Sequence, residues 1–124
     1  VKLRADGSKD AAFGLSGGRF KIVERVAFQP DGKVLVTGTI APTTYGTIFR
    51  FMPDGGPDPS FGGPDGGARI DGFATTLRVQ ADGRIVIGGE FLEVAGPGKG
   101  EKAQRFNIAR LNADGTLDAS FDPR

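Results

Sequence analysis

The sequence predicts an all-β protein built from repeated antiparallel hairpins, and three features predict it. A twelve-residue frame occurs at residues 2–13, 50–61 and 110–121: a basic residue, an apolar one, two variable positions, Asp-Gly, two variable, Asp, two variable, and Phe. A second motif alternates with it, residues 25–40 matching 76–91 with Gln29 on Gln80 and Gly38 on Gly89. Composition agrees, since 21 Gly and 8 Pro among 124 residues punctuate short apolar runs and leave little room for helix. Those runs are regular and β-branched, so the glycine content does not signal disorder.

Each motif has a mechanical reading. Asp-Gly between extended segments marks a tight turn, because Gly takes φ > 0 without a Cβ clash and Asp caps the turn locally. A turn centred on Asp114 sets Arg110 opposite Asp118; likewise Arg50 faces Asp58 and Lys2 faces Asp10. Each opposed pair contributes roughly 0.2–1 kcal/mol, and one extra residue in the turn makes the contact diagonal and weaker. The closing Phe of each frame is expected to anchor its hairpin in a core. In the second motif, Val34, Leu35 and Val36 are consecutive, as are Ile85, Val86 and Ile87, the pattern of strands covered on both faces. Strands are predicted near 1–5, 17–22, 24–29, 33–39, 47–52, 66–70, 74–80, 84–91 and 105–112.

The chain reads as one repeat domain over 1–124, with units at about 1–49 and 50–109 and a partial unit at 110–124. Asp6 to Asp54 is 48 positions and Asp54 to Asp114 is 60. Gly38 to Arg50 covers 12 positions whereas Gly89 to Arg110 covers 21, so most of the difference is an insertion at 93–105. Such an insertion maps to a loop on one face, often the binding face. Deleting 94–104 is expected to remove binding and to leave the scaffold's stability nearly unchanged.

Composition also bounds the chemistry. With 16 basic and 15 acidic residues the net charge is +1, and no basic stripe carries interleaved aromatics, so no nucleic-acid partner is expected. No apolar run has the length of a membrane helix, and no membrane insertion is expected. The absence of His and Cys removes the commonest general base and the commonest strong nucleophile. The frame aspartates sit in turns or opposite bases, which keeps them ionised and passive. The chain is therefore expected not to be an enzyme. The rival reading, a carbohydrate-active enzyme, needs two acids roughly 5–10 Å apart, and the acids near the insertion outside the frame are Glu90, Glu93 and Glu101.

Asn112, Asp114 and Asp118 place oxygen ligands around a Gly as calcium loops do. The copies carry Arg4 and Met52 where Asn112 stands, so the turn repeats and the ligand set does not. Calcium is the one cofactor this pattern raises; otherwise none is expected. Residues 96–100 superficially imitate a phosphate loop but lack the Ser or Thr and the following helix. A glycan or protein ligand would be met by Lys99, Lys102 and Arg105 of the insertion, by Tyr45 in the equivalent short loop, and by Phe91 at a strand end.

Residues 29–38 and 107–121, with their copies, resemble the bacterial delta-60 repeat, and the resemblance covers essentially the whole chain. It implies a β-propeller in which each repeat supplies one four-stranded blade. It also implies a place in a large exported protein, secreted or at the cell surface, with no general activity and no catalytic residues to carry over. The departures are Arg4 and Met52 at the Asn112 position and the insertion at 93–105. Blade physics agrees: a blade is apolar on both faces and needs neighbours, and closed propellers usually contain 4–8 blades. About two repeats plus a redundant half-unit do not close a ring. Because the chain begins with Val in mid-repeat, it is expected to be cut from a longer array or to form a homo-oligomer whose terminal half-units complete one another.

Overall fold

The computed structural model describes residues 1–12, 20–62, 67–97 and 102–123, and every regular element among them is a strand. These are β1 (Phe20–Phe28), β2 (Val34–Ile40), β3 (Gly46–Phe51), β4 (Arg69–Ile70), β5 (Phe73–Val79), β6 (Ile85–Glu90), β7 (Glu93–Ala95), β8 (Lys102–Gln104) and β9 (Ile108–Leu111). They form two antiparallel sheets, one ordered β1-β2-β3-β4-β7-β8 and one ordered β5-β6-β9. The sheets stack and do not close a ring.

The Asp-Gly corners set the hairpins. In all five the glycine has φ between +82 and +90, a conformation that costs Gly nothing sterically. Each aspartate Oδ1 accepts the amide two residues on, at 2.9–3.0 Å. Each Gly N–H returns to the carbonyl three residues back, at 2.8–3.0 Å. This is a three-residue loop ending in a glycine bulge. It leaves the frame's basic residue and second Asp directly opposed: the Asp58 amide donates to the Arg50 carbonyl at 3.0 Å and the Asp118 amide to Arg110 at 2.9 Å.

A second device also recurs. Both β1–β2 and β5–β6 carry a register shift, at Glu24 and at its counterpart Thr75. Beside these bulges lie Gly38 and Gly89, where a Cβ would collide with the carbonyl oxygens of Ile22 and Phe73. Glycine at these strand positions is required by the close approach of backbone.

Each sheet has two unlike faces. In the second sheet, the rows Leu77–Ile87–Ala109 and Val79–Ile85–Leu111 face the first sheet and pack into the core between them. The corresponding rows of the first sheet, Val26–Val36–Phe49 and Phe28–Val34–Phe51, lie on its far side, where Phe20, Phe49 and Phe51 form an aromatic cluster with ring centroids 5.1–6.2 Å apart. The first sheet meets the core instead with the row Ala27–Leu35–Arg50 and with Ile48. Its counterpart in the second sheet, Arg78–Val86–Arg110, points away. The sheets therefore stack head to tail, an arginine-bearing face of one on an apolar face of the next. Polar pins cross the junction: Thr37 Oγ1 donates to the Ala74 carbonyl at 2.9 Å, Arg50 Nη1 to the Ala113 carbonyl at 2.6 Å, and the Ala68 amide to Gly115 at 3.0 Å.

Three strand expectations change. Residues 1–5 give only an isolated bridge, Leu3 to Lys9, because no strand pairs beside them among the described residues. The two strands expected at 17–22 and 24–29 are one bulged strand, β1, from residue 20 onward; residues 17–19 lie outside the described set. The insertion at 93–105 is not simply a loop. Its two arms are β7 and β8, and β7 pairs with β4, extending the first sheet by two strands. Val94 is fully buried in the core, so removal of 94–104 would not spare stability as its reading as a loop implied.

Candidate functional site

The register places one row of residues along an end of the first sheet. Gly46 pairs with Ile70, Ile70 with Val94 and Val94 with Ala103. One step outward lie Tyr45, Asp71, Glu93 and Gln104. The row is held together by Asp71, whose Oδ1 accepts the amides of Leu92 and Glu93 at 2.8 and 2.9 Å and so starts the β7 arm. Burial alone would raise the Asp71 carboxyl, but these two amides outweigh it and hold it below its ordinary value. Lys102 reaches Glu93 Oε1 at 2.7 Å. That hydrogen bond and charge raise the lysine above its ordinary value, with smaller contributions from Tyr45 and Asp71. An exposed aromatic ring, an exposed ion pair and a capped carboxylate thus share one rim, with the exposed Leu92 beside them.

The residues expected to bind divide sharply. Tyr45 and Lys102 are exposed and come together on this rim. Phe91 does not take part: it is 3% exposed and lies in the core between the sheets. Arg105 is equally withdrawn, at 6% exposure. Its guanidinium donates to the carbonyls of Phe121, Gln104 and Ala119 at 3.0, 2.8 and 3.4 Å and lies 3.7 Å from Asp122, which clamps the last described residues onto the hairpin. Lys99 lies outside the described residues. Asp71 and Leu92 belong to the rim and were not anticipated. An Asp at the end of a two-residue strand gives no periodic signal, and its partners stand 21 and 22 residues away.

The repeated frame is a closed electrostatic unit. Asp58 Oδ2 accepts Arg50 Nε at 2.7 Å and stands 3.0 Å from Lys33 Nζ, while Oδ1 accepts the amide and hydroxyl of Ser60. Burial pushes this carboxyl upward, yet the Ser60, Lys33 and Arg50 contacts carry it far below the usual aspartate range. Asp118 repeats the pattern with Arg110 at 2.8 Å, Arg84 at 3.7 Å and Ser120. The Ser120 hydroxyl first, then Arg110, hold it at about 2 against the cost of burial. Each arginine also lies over the closing Phe of its frame, Arg50 on Phe61 at 4.6 Å and Arg110 on Phe121 at 4.7 Å. Phe61 is fully buried and Phe121 half-buried; Phe13 lies outside the described residues.

Asn112, Asp114 and Asp118 are each engaged within the frame. Asn112 donates to Thr116 Oγ1 at 2.9 Å, Asp114 Oδ1 accepts the Thr116 amide and hydroxyl, and Asp118 faces two guanidinium groups that would repel a cation. Among the described residues no group of three or more Asp, Glu, His or Cys is arranged to hold a metal ion. No helix there is long and apolar enough to cross a membrane.

The chain matches a protein-family model described as "Domain of unknown function (DUF5122) beta-propeller" over residues 29–61 and 80–121. The matched segments are the two Asp-Gly hairpin pairs with their closing Phe. No curated protein and no solved structure matches the chain.

Proposed function

We propose that this chain, which belongs to the DUF5122 β-propeller family, is a non-catalytic repeat module that presents a glycan-recognition rim. The observation that carries the reading is the row Tyr45–Asp71–Glu93 with Lys102, built where the second repeat departs from the first. An exposed tyrosine offers a flat apolar surface with a polar tip. Beside it, Lys102 and Glu93, 2.7 Å apart, offer a donor and an acceptor to hydroxyl groups. The non-catalytic part of the reading is supported by the state of the acids. Asp58, Asp71, Asp114 and Asp118 are all held below their ordinary values by hydrogen bonds that also occupy them. Placement in a larger exported bacterial protein, and the finer identity as a delta-60 repeat, rest on the resemblance of residues 29–38 and 107–121.

A carbohydrate array probed with the labelled chain tests this directly. Wild type is expected to retain a defined subset of glycans. Tyr45→Ala and Lys102→Ala, both at exposed positions, are each expected to weaken that signal at least about tenfold. Retention of no glycan, or retention indifferent to both substitutions, would sink the reading.

A further inference from the structure

The two outward faces of the stack are not two unrelated surfaces. Each carries counterparts of residues that meet in the contact already formed inside it. On the first sheet, Val26 and Phe28 are 52% and 64% exposed. Their counterparts on the second sheet are Leu77, 2% exposed, and Val79, packed against the core. On the second sheet, Ile108 is 37% exposed while its counterpart Ile48 is fully buried, and Val86 is half-buried while Leu35 is fully buried. Each position is covered in one sheet by the neighbouring sheet and uncovered in the other.

We infer that the exposed strip of β1 is a docking surface for the arginine-bearing face of a second copy of this chain, presented by its β5 and β6. The occupant follows from continuity with the internal junction, where that face of the first sheet, carried on β1 and β2, covers the apolar face at β5. Two positions that depart from the internal pattern do so together. Where the internal junction has Ala27 and Val79, the outward faces carry Arg78 and Phe28, an exposed guanidinium and an exposed ring. A guanidinium over an aromatic face is a favourable pair, and the chain already uses that pair at Arg50–Phe61 and Arg110–Phe121. The open strip lies on β1, the edge strand of the first sheet. Farther along the same face Val34, Val36, Phe49 and Phe51 are already buried, so the second copy meets β1 rather than the whole sheet. Such a contact is heterologous, joining unlike patches head to tail.

That asymmetry supplies the test. Phe28→Asp disables the apolar strip and leaves the arginine face intact. Val86→Asp disables the arginine face, and its cross-strand neighbours Arg78 and Arg110 accommodate the new carboxylate within the fold. Sedimentation equilibrium on wild type, over about a hundredfold range of concentration, is expected to show a mass rising to at least twice 12.9 kDa. Each variant alone is expected to remain monomeric. An equimolar mixture of the two is expected to form a dimer and stop there, since only one competent strip and one competent face remain. If Val86→Asp loses its far-ultraviolet strand signature, Arg78→Glu at an exposed position replaces it. A wild type monomeric at every concentration, a mixture that stays monomeric, or self-association by Phe28→Asp alone would each overturn the inference.

Discussion

The same Asp-to-Asn change can be made in three copies of one motif that differ in burial. In Asp58→Asn the retained Oδ1 still accepts Ser60, while the Oδ2 facing Arg50 at 2.7 Å and Lys33 at 3.0 Å becomes an NH2 donor aimed at two cations. Both partners of the primary pair are withdrawn from water, with side chains 8% and 3% exposed. Losing one member of a buried pair strands the other, which costs about 3–5 kcal/mol. In Asp118→Asn the stranded Arg110 is 20% exposed and regains some water. The loss there is that of a hydrogen bond to a charged group, about 1.5–3 kcal/mol. In Asp10→Asn the Lys2 pair is longer, at 3.4 Å, and more open, at 31% and 19%, so the cost falls to about 0–1 kcal/mol.

Urea unfolding checks the ordering, provided the dependence on denaturant keeps its slope so that midpoints convert to stability. Equal losses at the three sites, or a loss at Asp10 as large as at Asp58, would refute the claim that burial of the partner sets the cost. Acid gives an independent reading of the same chemistry. Asp118 titrates at about 2 in the fold against an ordinary value of 3.8, and Asp58 lies lower still. Both folded values are depressed, so their contribution is present above about pH 4 and is lost as pH falls toward 2. A double variant lacking both carboxylates is expected to have a flatter acid limb than wild type.

Two further outcomes follow from local geometry. Gly38→Ala and Gly89→Ala each drive a Cβ into a backbone carbonyl that no rotamer change can move, so each is expected to lose about 3 kcal/mol. Gly88→Ala, whose Cβ would stand 3.6 Å from the Asn107 carbonyl oxygen, is expected within about 0.5 kcal/mol of wild type; similar urea midpoints for all three would contradict the close-approach account. Glu24 has one carboxyl oxygen buried without a partner, and burial raises its carboxyl against the pull of the Ala74 amide and Arg25. Its folded value is raised, so the penalty is absent in acid and sets in as pH climbs past the ordinary glutamate range. Glu24→Gln is thus expected to raise the urea midpoint at about pH 7 and leave it unchanged near pH 3.5, and an equal shift at both would count against it.

The periodic parts of this molecule were legible because their causes are local. An Asp two residues before the amide it caps, a Gly between them and opposed charges four positions either side specify the corner within nine residues. That is why Arg50–Asp58 and Arg110–Asp118 stand where the spacing put them. The consecutive apolar residues at 34–36 proved to be covered on both faces, whereas at 85–87 only Ile85 and Ile87 are buried, since nothing stacks beyond Val86. What sequence did not show depends on contacts between distant segments. Phe91 and Arg105 have the composition of a binding site, and only the pairing of β7 with β4 turns one toward the core and the other onto the carbonyls of 119 and 121. Asp71 was invisible for the same reason.

The position of the insertion follows from the edge it covers. Without β7, the two-residue strand β4 would end the first sheet with unpaired backbone groups beside Ile70. An exposed edge of that kind invites pairing with other chains. The insertion leaves the second sheet at Glu90, crosses to β4 and returns to β9 in the second sheet. Its arms carry hydrogen bonds from both: Asp71 holds Leu92 and Glu93, and the Asn107 amide bonds the Phe91 carbonyl. A segment added for recognition alone would need none of these. The hairpin therefore joins two blades while presenting Lys102 and Glu93 beside Tyr45. A ligand on that rim would engage groups fixed by the same contacts that hold the stack together, with little ordering left to be done on binding.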